Sequence, residues 1–176
     1  MFNQDKFKTL VHYVCWRCSD DPASLGAVKL NKILWFSDVI AFAERGAPIT
    51  GARYVKQKFG PVPKALLPVL RILEWAGDLR IEEVEYYGRR KRQYVALNEP
   101  DISTFSKDEV RVMDEVIEAV TKGHTAASIS DLTHDDIWKL AEIGEEIPLH
   151  TVLASRLGEI TEEDISRARQ RMAEAG

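Results

Sequence analysis

The sequence predicts a mainly α fold, a single α-helical domain of five to eight helices with one β-hairpin that resembles a wing. Three observations predict it. Apolar residues recur at helical spacing along most of the chain. Two segments, Ser106–Glu109 and Thr161–Asp164, have the Ser/Thr-x-x-acid pattern that starts helices. Only residues 79–97 combine strand-like segments with a turn signal between them.

The composition is that of an ordinary globular protein. The chain has 176 residues, of which 45% are hydrophobic and 30% charged, and this length suits one domain. No apolar run approaches the ~20 residues of a membrane span, so we expect no membrane partner. The first residues, Met1–Lys6, lack the pattern of a signal peptide, and the expected location is the cytoplasm.

Two helices are predicted in the first 46 residues. The first runs from about Asp5 to Cys18, because its apolar side chains share one helical face: Phe7, Leu10, Val11, Val14 and Cys18. The second runs from about Leu25 to Glu44 and ends at Gly46. Its apolar residues between Ile33 and Ala43 cover nearly the whole circumference. Such a helix is either central to the core or partly covered by a partner.

The middle of the chain contains two proline-rich segments before a third helix. Pro48–Tyr54 predicts a turn into a short extended stretch, and Phe59–Pro63 follows it. Each proline keeps the residue before it out of helical angles. An apolar stripe over Leu66–Ala76 then predicts a helix that Gly77 ends.

The predicted hairpin has a basic tip. Leu79–Tyr87 and Arg92–Leu97 flank Gly88–Lys91. A hairpin after three helices is the outline of a winged helix, so a DNA-binding transcriptional regulator is one alternative function. Its phosphate contacts would be Arg89, Arg90, Lys91 and Arg92. The opposite strand carries Glu82, Glu83 and Glu85, and cross-strand ion pairs would explain the basic residues equally well.

The last third is predicted to be helical and acidic. One helix follows Ser106 and ends at Gly123, with short helices around Ala126–Leu132 and Asp135–Ile143 and a terminal helix after Thr161. We expect one domain over residues 1–150 and a C-terminal helical extension over 151–176. Residues 1–100 carry a net charge of +5 and residues 101–176 one of −9. Two faces of opposite sign suit two different partners, although both also suit plain solvated surfaces.

The sequence offers little chemistry for an enzyme. It has no glycine-rich phosphate loop, no His-Glu-x-x-His pair and no Gly-x-Ser-x-Gly elbow, so we predict no catalytic residue and no cofactor. Cys15 and Cys18 have the spacing of two zinc ligands, and His12 is a possible third, but a structural zinc takes four. We therefore expect two packed thiols and no metal.

Three ordered segments resemble a known family. Lys29–Asp38, Gly46–Tyr54 and Phe59–Pro63 are similar to successive motifs of the Panacea domain, found in SocA-like antitoxins and phage-associated GepA-like proteins. His134–Trp138 resembles a later motif, and the similarity extends over roughly residues 6–145. Phe59 stands where a tyrosine is more usual in the family.

The resemblance implies an antitoxin that neutralises a cognate toxin by direct contact. It also implies, as further partner, an AAA+ protease to which such a protein delivers its toxin, or a role as a phage-associated adaptor. Within these motifs the predicted partner-binding residues surround a rigid Gly-Pro turn, where an aromatic anchor costs little to present. They are Tyr54, Lys58, Phe59, Gly60, Pro61, Val62 and Pro63.

Overall fold

The computed structural model describes residues 1–86, 88–131, 133, 138–139 and 141–151. Within these residues the chain forms five α-helices, a short 3-10 helix at Pro22–Ser24 and five strands. In chain order they are α1 (Gln4–Arg17), α2 (Ala27–Arg45), β1 (Tyr54–Gln57), β2 (Gly60–Pro63), α3 (Leu66–Trp75), β3 (Leu79–Tyr86), β4 (Arg89–Ala96), α4 (Lys107–Gly123), α5 (Ala126–Asp131) and β5 (Glu146–Ile147).

The expectation of a mainly α fold with a single hairpin is wrong, because the described residues form an α+β fold with two antiparallel sheets. The sheet that was not expected has the strand order β2-β1-β5. Its strands are only four, four and two residues long. Pro61 and Pro63 lie in β2, which is an edge strand, the place where a sheet tolerates proline. Strands this short and proline-rich carry no readable alternation.

The predicted hairpin is present as β3 and β4. Its eight-residue strands pair without interruption from Leu79 opposite Ala96 to Tyr86 opposite Arg89. The register sets Glu83 opposite Arg92 and Glu85 opposite Arg90, so acidic residues of β3 face basic residues of β4. Leu79 and Tyr94 are its buried positions, at 1% and 2% exposure, and most of the remaining side chains face solvent at least partly.

Helix α2 is the centre of the core. It packs against α1, α4, α5 and β2. Its fully or nearly buried apolar side chains are Leu30, Ile33, Leu34, Trp35, Val39 and Ala41. This position explains why its sequence is apolar almost all round, since side chains on every side meet another element. Gly46 ends the helix in the left-handed conformation, as is usual for a glycine there.

The first turns of α1 and α4 are both capped by side chains. The Asn3 side chain accepts a hydrogen bond from Lys6 N at the start of α1. At the start of α4 the predicted capping box is formed, with Ser106 and Glu109 each bonding the other's backbone N–H. Glu109 also accepts from Lys6 Nζ at 2.7 Å, which ties the starts of α1 and α4 together. The pairing and the cap hold the pKa of Glu109 below its usual value, although burial opposes them.

Some expectations fall outside the described residues. The predicted helix around Asp135–Ile143 lies partly outside them, and its described end, residues 141–143, is not helical. The Thr161 capping box and all of the 151–176 extension except its first residue also lie outside the described residues. The short helix expected around Ala126–Leu132 is present as α5. None of the helices in the described ranges combines the length and the apolar character that crossing a membrane requires.

Candidate functional site

The β1–β2 hairpin ends in an exposed two-residue turn, which we call the tip and define as Lys58 and Phe59. Phe59 is 56% exposed, and Lys58 Nζ lies 5.4 Å from the centre of its ring. The strands behind the tip are mostly buried: Tyr54 is 1% exposed and Val55 is 8%. The tip therefore presents an aromatic ring and a cation together on a hairpin that the core holds.

Tyr54 belongs to that core and not to the surface. Its hydroxyl has two acceptors that share its one proton, Leu34 O at 2.8 Å and Asp38 Oδ2 at 3.0 Å. Its ring meets the Trp35 ring edge-on, with centroids 4.9 Å apart. Burial, together with the neighbouring Asp38, raises the pKa of this hydroxyl well above its usual value. Tyr54 therefore keeps its proton and fixes β1 onto α2.

Asp38 joins two of the motifs found in the sequence. Its carboxylate is fully buried and accepts from Thr50 N at 2.7 Å and Thr50 Oγ1 at 2.6 Å, besides the Tyr54 hydroxyl. Burial raises the pKa of Asp38, and these hydrogen bonds oppose that shift. The arrangement locks the segment before β1 to α2, because a buried carboxylate without such partners would be costly.

Lys32 joins the first motif to the third. Its ammonium is buried at 1% exposure and donates to Thr133 Oγ1, which itself donates to Ser130 O at 2.9 Å. Burial lowers the pKa of Lys32 to about 8. Gly60 lies directly above it with φ +111°, and a Cβ at Gly60 would collide with Lys32 Nζ. Only glycine satisfies both the backbone angle and the space at this point.

Lys56 supports the other side of the hairpin. Its ammonium lies 4.1 Å from the centre of the Trp138 ring and donates to Ala141 O at 2.9 Å. Trp138 is the only residue of the His134–Trp138 segment inside the described ranges. Strand β5 then pairs with β1, and its Glu146 forms ion pairs with Arg53 and Lys64. The tip is thus fixed from beneath and from both sides.

The seven predicted partner-binding residues all lie in this hairpin, but they divide between surface and interior. Lys58 and Phe59 are exposed and Val62 is half-buried. The buried members are Tyr54, Gly60, Pro61 and Pro63. Lys32, Asp38 and Thr50, which hold the hairpin in place, were not predicted as site residues. A buried Lys and Asp in an otherwise apolar helix was the signal in the sequence, since such charges need partners.

The basic end of the β3–β4 hairpin carries acidic side chains among its basic ones. Arg90 has a 90% exposed side chain and lies 3.9 Å from Glu83, a weak exposed pair. Lys91 turns back to the Ala23 carbonyl, so it does not extend from the hairpin. The Arg89 side chain falls outside the described residues. Arg92 is exposed opposite Glu83. Phosphates approaching this hairpin would meet carboxylates as well as guanidinium groups.

The two cysteines are free thiols inside the α1 core. Cys15 is fully buried and Cys18 is 6% exposed. Burial raises the pKa of both thiols, that of Cys18 to about 11. Across the described ranges no three His, Cys, Asp or Glu side chains lie close enough together to hold a metal ion.

These features define a class of protein: an α+β scaffold in which three sequence motifs interlock beneath one exposed hairpin tip. A family model described as "Antitoxin SocA-like, Panacea domain" matches residues 30–139, more than half of the chain, and the chain belongs to that family. An antitoxin family indicates a non-catalytic role that involves a toxin. Comparison with curated proteins found no match, and comparison with solved structures found none.

Proposed function

We propose that this chain is an antitoxin that neutralises its toxin by direct protein–protein contact, and that the toxin docks on the tip of the β1–β2 hairpin. The observation that carries the proposal is the exposure of Phe59 on a hairpin whose other side chains are largely buried and hydrogen-bonded. An aromatic side chain on a rigid support loses little conformational entropy when a partner covers it. Trp, Tyr and Arg, together with other aromatic residues, dominate the binding energy of protein interfaces.

Lys58 adds a positive charge to the proposed contact surface. Its ammonium is exposed beside the Phe59 ring, and the hairpin behind it contributes the further cations Arg53 and Lys64. Arg53 and Lys64 are both paired with Glu146. Lys58 differs from them, because its neighbour among the described residues is the Phe59 ring and not a carboxylate. We expect the toxin to place a carboxylate opposite Lys58.

The test is co-expression with the protein encoded beside this chain, followed by growth rescue, pull-down and calorimetry. Phe59→Ala is expected to weaken binding by about 2 kcal/mol, the size of an interface hot spot, and Lys58→Glu by about 1 kcal/mol or more. Lys107→Glu, an equal charge change at an exposed position on α4, is the matched control. Unchanged affinity in both tip variants would move the binding site elsewhere, with the acidic second half of the chain next in line.

Neutralisation by occlusion and by delivery to an AAA+ protease give different results in the same cells. Occlusion leaves the toxin at its full level, whereas delivery makes its level fall when the antitoxin is present and recover when the protease is removed. We favour occlusion, because it needs one contact with the toxin, whereas delivery needs a second surface for the protease. The two buried free thiols of Cys15 and Cys18 fit a reducing compartment, and we place the protein in the cytoplasm.

A further inference from the structure

Helix α3 is apolar on both faces, and only one of them is covered. Its inner face, Leu66, Val69, Leu70 and Leu73, is buried against α1 and β3. Its outer face carries Leu67 at 58% exposure, Ile72 at 40% and Trp75 at 91%. A tryptophan is rarely so exposed in a protein without a partner, and a helix apolar all round is normally covered on every side.

The two charged side chains of α3 lie on this outer face. Arg71 and Glu74 are one turn apart, between Leu67 and Trp75. Within the described residues Arg71 takes part in no ion pair and no hydrogen bond, and Glu74 has only a 3.4 Å contact with Ile81 N. The two side chains do not pair with each other. The face therefore offers a cation and an anion side by side, both available to a partner.

A face with this order of charges is complementary to itself. If two copies of α3 pack antiparallel about a two-fold axis that passes midway between Arg71 and Glu74, each arginine meets the other copy's glutamate. The same placement sets Trp75 of each helix on the Leu67–Arg71 stretch of the other. Identical surfaces that match in this way are the usual basis of two-fold dimers.

We propose that the outer face of α3, defined by Leu67, Arg71, Ile72, Glu74 and Trp75, is a dimerisation surface whose occupant is a second copy of this chain. A buried aromatic side chain supplies about 200 Å². We expect an interface no larger than the about 800 Å² per partner of a standard one, and a dimer that dissociates in the micromolar range.

Sedimentation of the full-length chain between about 1 and 200 µM measures this directly, a range that brackets micromolar dissociation. The wild type is expected to pass from monomer to dimer. Trp75→Ala weakens association about 30-fold, the size of a hot-spot truncation, and Lys107→Glu leaves it unchanged. These side chains are exposed, so circular dichroism and the melting temperature are expected to stay near those of the wild type.

A charge-exchange experiment identifies the pairing. Arg71→Glu and Glu74→Arg each place like charges across the axis and weaken the homodimer at least about tenfold, because like-charge contacts cost several kcal/mol. An equimolar mixture of the two variants, or the double exchange in one chain, restores association. A wild type that remains monomeric at the highest concentration overturns the proposal, even if the α3 variants lose affinity for another protein. A dimer unaffected by Trp75→Ala and Arg71→Glu overturns it as well. Neither result bears on toxin binding at Lys58 and Phe59.

Discussion

The two hairpins of this protein are stabilised in opposite ways. The β3–β4 hairpin pairs eight residues on each strand and exposes most of its side chains, so its own ladder and cross-strand pairs define it. The β1–β2 hairpin pairs four residues on each strand and buries most of them. Its support comes from other elements: Asp38 of α2 bonds Thr50 and Tyr54, Lys32 lies beneath Gly60, and β5 pairs with β1.

That difference separates the buried positions of the family motifs, which carry stability, from the exposed turn of the β1–β2 hairpin. The motif residues Asp38, Thr50 and Tyr54 make buried contacts with one another, whereas Lys58 and Phe59 at the turn are exposed. Changes beneath the β1–β2 hairpin should therefore cost more stability than changes at either hairpin's turn.

The largest expected effect compares one glycine from each hairpin. Gly60 and Gly88 both have positive φ, but a Cβ at Gly60 would collide with Lys32 and Thr133, while one at Gly88 meets nothing within 4 Å. Gly60→Ala adds overpacking to backbone strain, and we expect a loss of about 3–4 kcal/mol in the free energy of unfolding. Gly88→Ala should cost about 1 kcal/mol from strain alone. Urea titrations measure both, and equal losses would contradict the contrast.

The buried ammonium of Lys32 gives the next largest effect, as a dependence of stability on pH. Burial lowers its pKa in the folded protein from 10.5 to about 8. Between these values the unfolded chain binds the proton and the folded protein does not, so this group makes stability rise with pH across that window. Below pH 8 both states carry the proton and the contribution is constant.

The measurement is the free energy of unfolding of wild type and Lys32→Met from pH 7.5 to 10. We expect the wild type to gain about 2 kcal/mol relative to Lys32→Met over this range, because each unit of pKa difference is worth about 1.4 kcal/mol. Other groups titrate equally in both proteins and cancel in the difference. Parallel pH profiles would show that the Lys32 ammonium is as well solvated in the folded protein as in the unfolded chain.

Tyr54→Phe tests the Asp38 network with a smaller expected loss. The substitution keeps the ring against Trp35 and removes one donor from a buried carboxylate, which leaves Asp38 with its two Thr50 contacts. A hydrogen bond to a charged group is worth about 1.5–3 kcal/mol, and we expect a loss near the lower end. The matched control is Tyr13→Phe, because the Tyr13 hydroxyl donates to Asp114, a more exposed carboxylate. The control should therefore lose less free energy of unfolding.

Sequence reasoning predicted the parts of the fold that local pattern specifies. The β3–β4 hairpin, the ends of α1 and the Ser106 capping box follow from side-chain spacing and helix-start chemistry. The β1–β2 hairpin was missed because its turn, Lys58-Phe59, is not a usual two-residue hairpin turn and its second strand contains two prolines. Strand β5 is two residues long and begins 89 residues after β1 ends at Gln57. No local pattern in the sequence can indicate a pairing over that separation.

The sequence grouped Tyr54 with Lys58 and Phe59 as partner-binding residues, and that assignment stays a prediction for the exposed pair. Nothing in the spacing of these residues indicates that Tyr54 points inward. That follows from the pairing of β1 with β5 and from Asp38, 16 residues earlier in the chain. Likewise the partnership of Lys32 with Thr133 spans 101 residues and depends on how α2 meets the segment after α5.

The smallest expected changes in stability are at one exposed side chain near the end of each hairpin, and the proposed toxin contact distinguishes the two. Phe59→Ala removes a ring that is 56% exposed, and Arg90→Ala removes a guanidinium that is 90% exposed and only weakly paired with Glu83. Each should change the free energy of unfolding by no more than about 0.5 kcal/mol, because neither side chain supports the core. Only Phe59→Ala should weaken toxin binding.

Binding to a DNA fragment, measured in parallel at several salt concentrations, should be weak in the wild type and unchanged in Phe59→Ala. The carboxylates of β3 oppose phosphate contact at the basic end of the β3–β4 hairpin. A loss of toxin binding in Arg90→Ala with none in Phe59→Ala would reverse the assignment and make the exposed β3–β4 hairpin the contact surface.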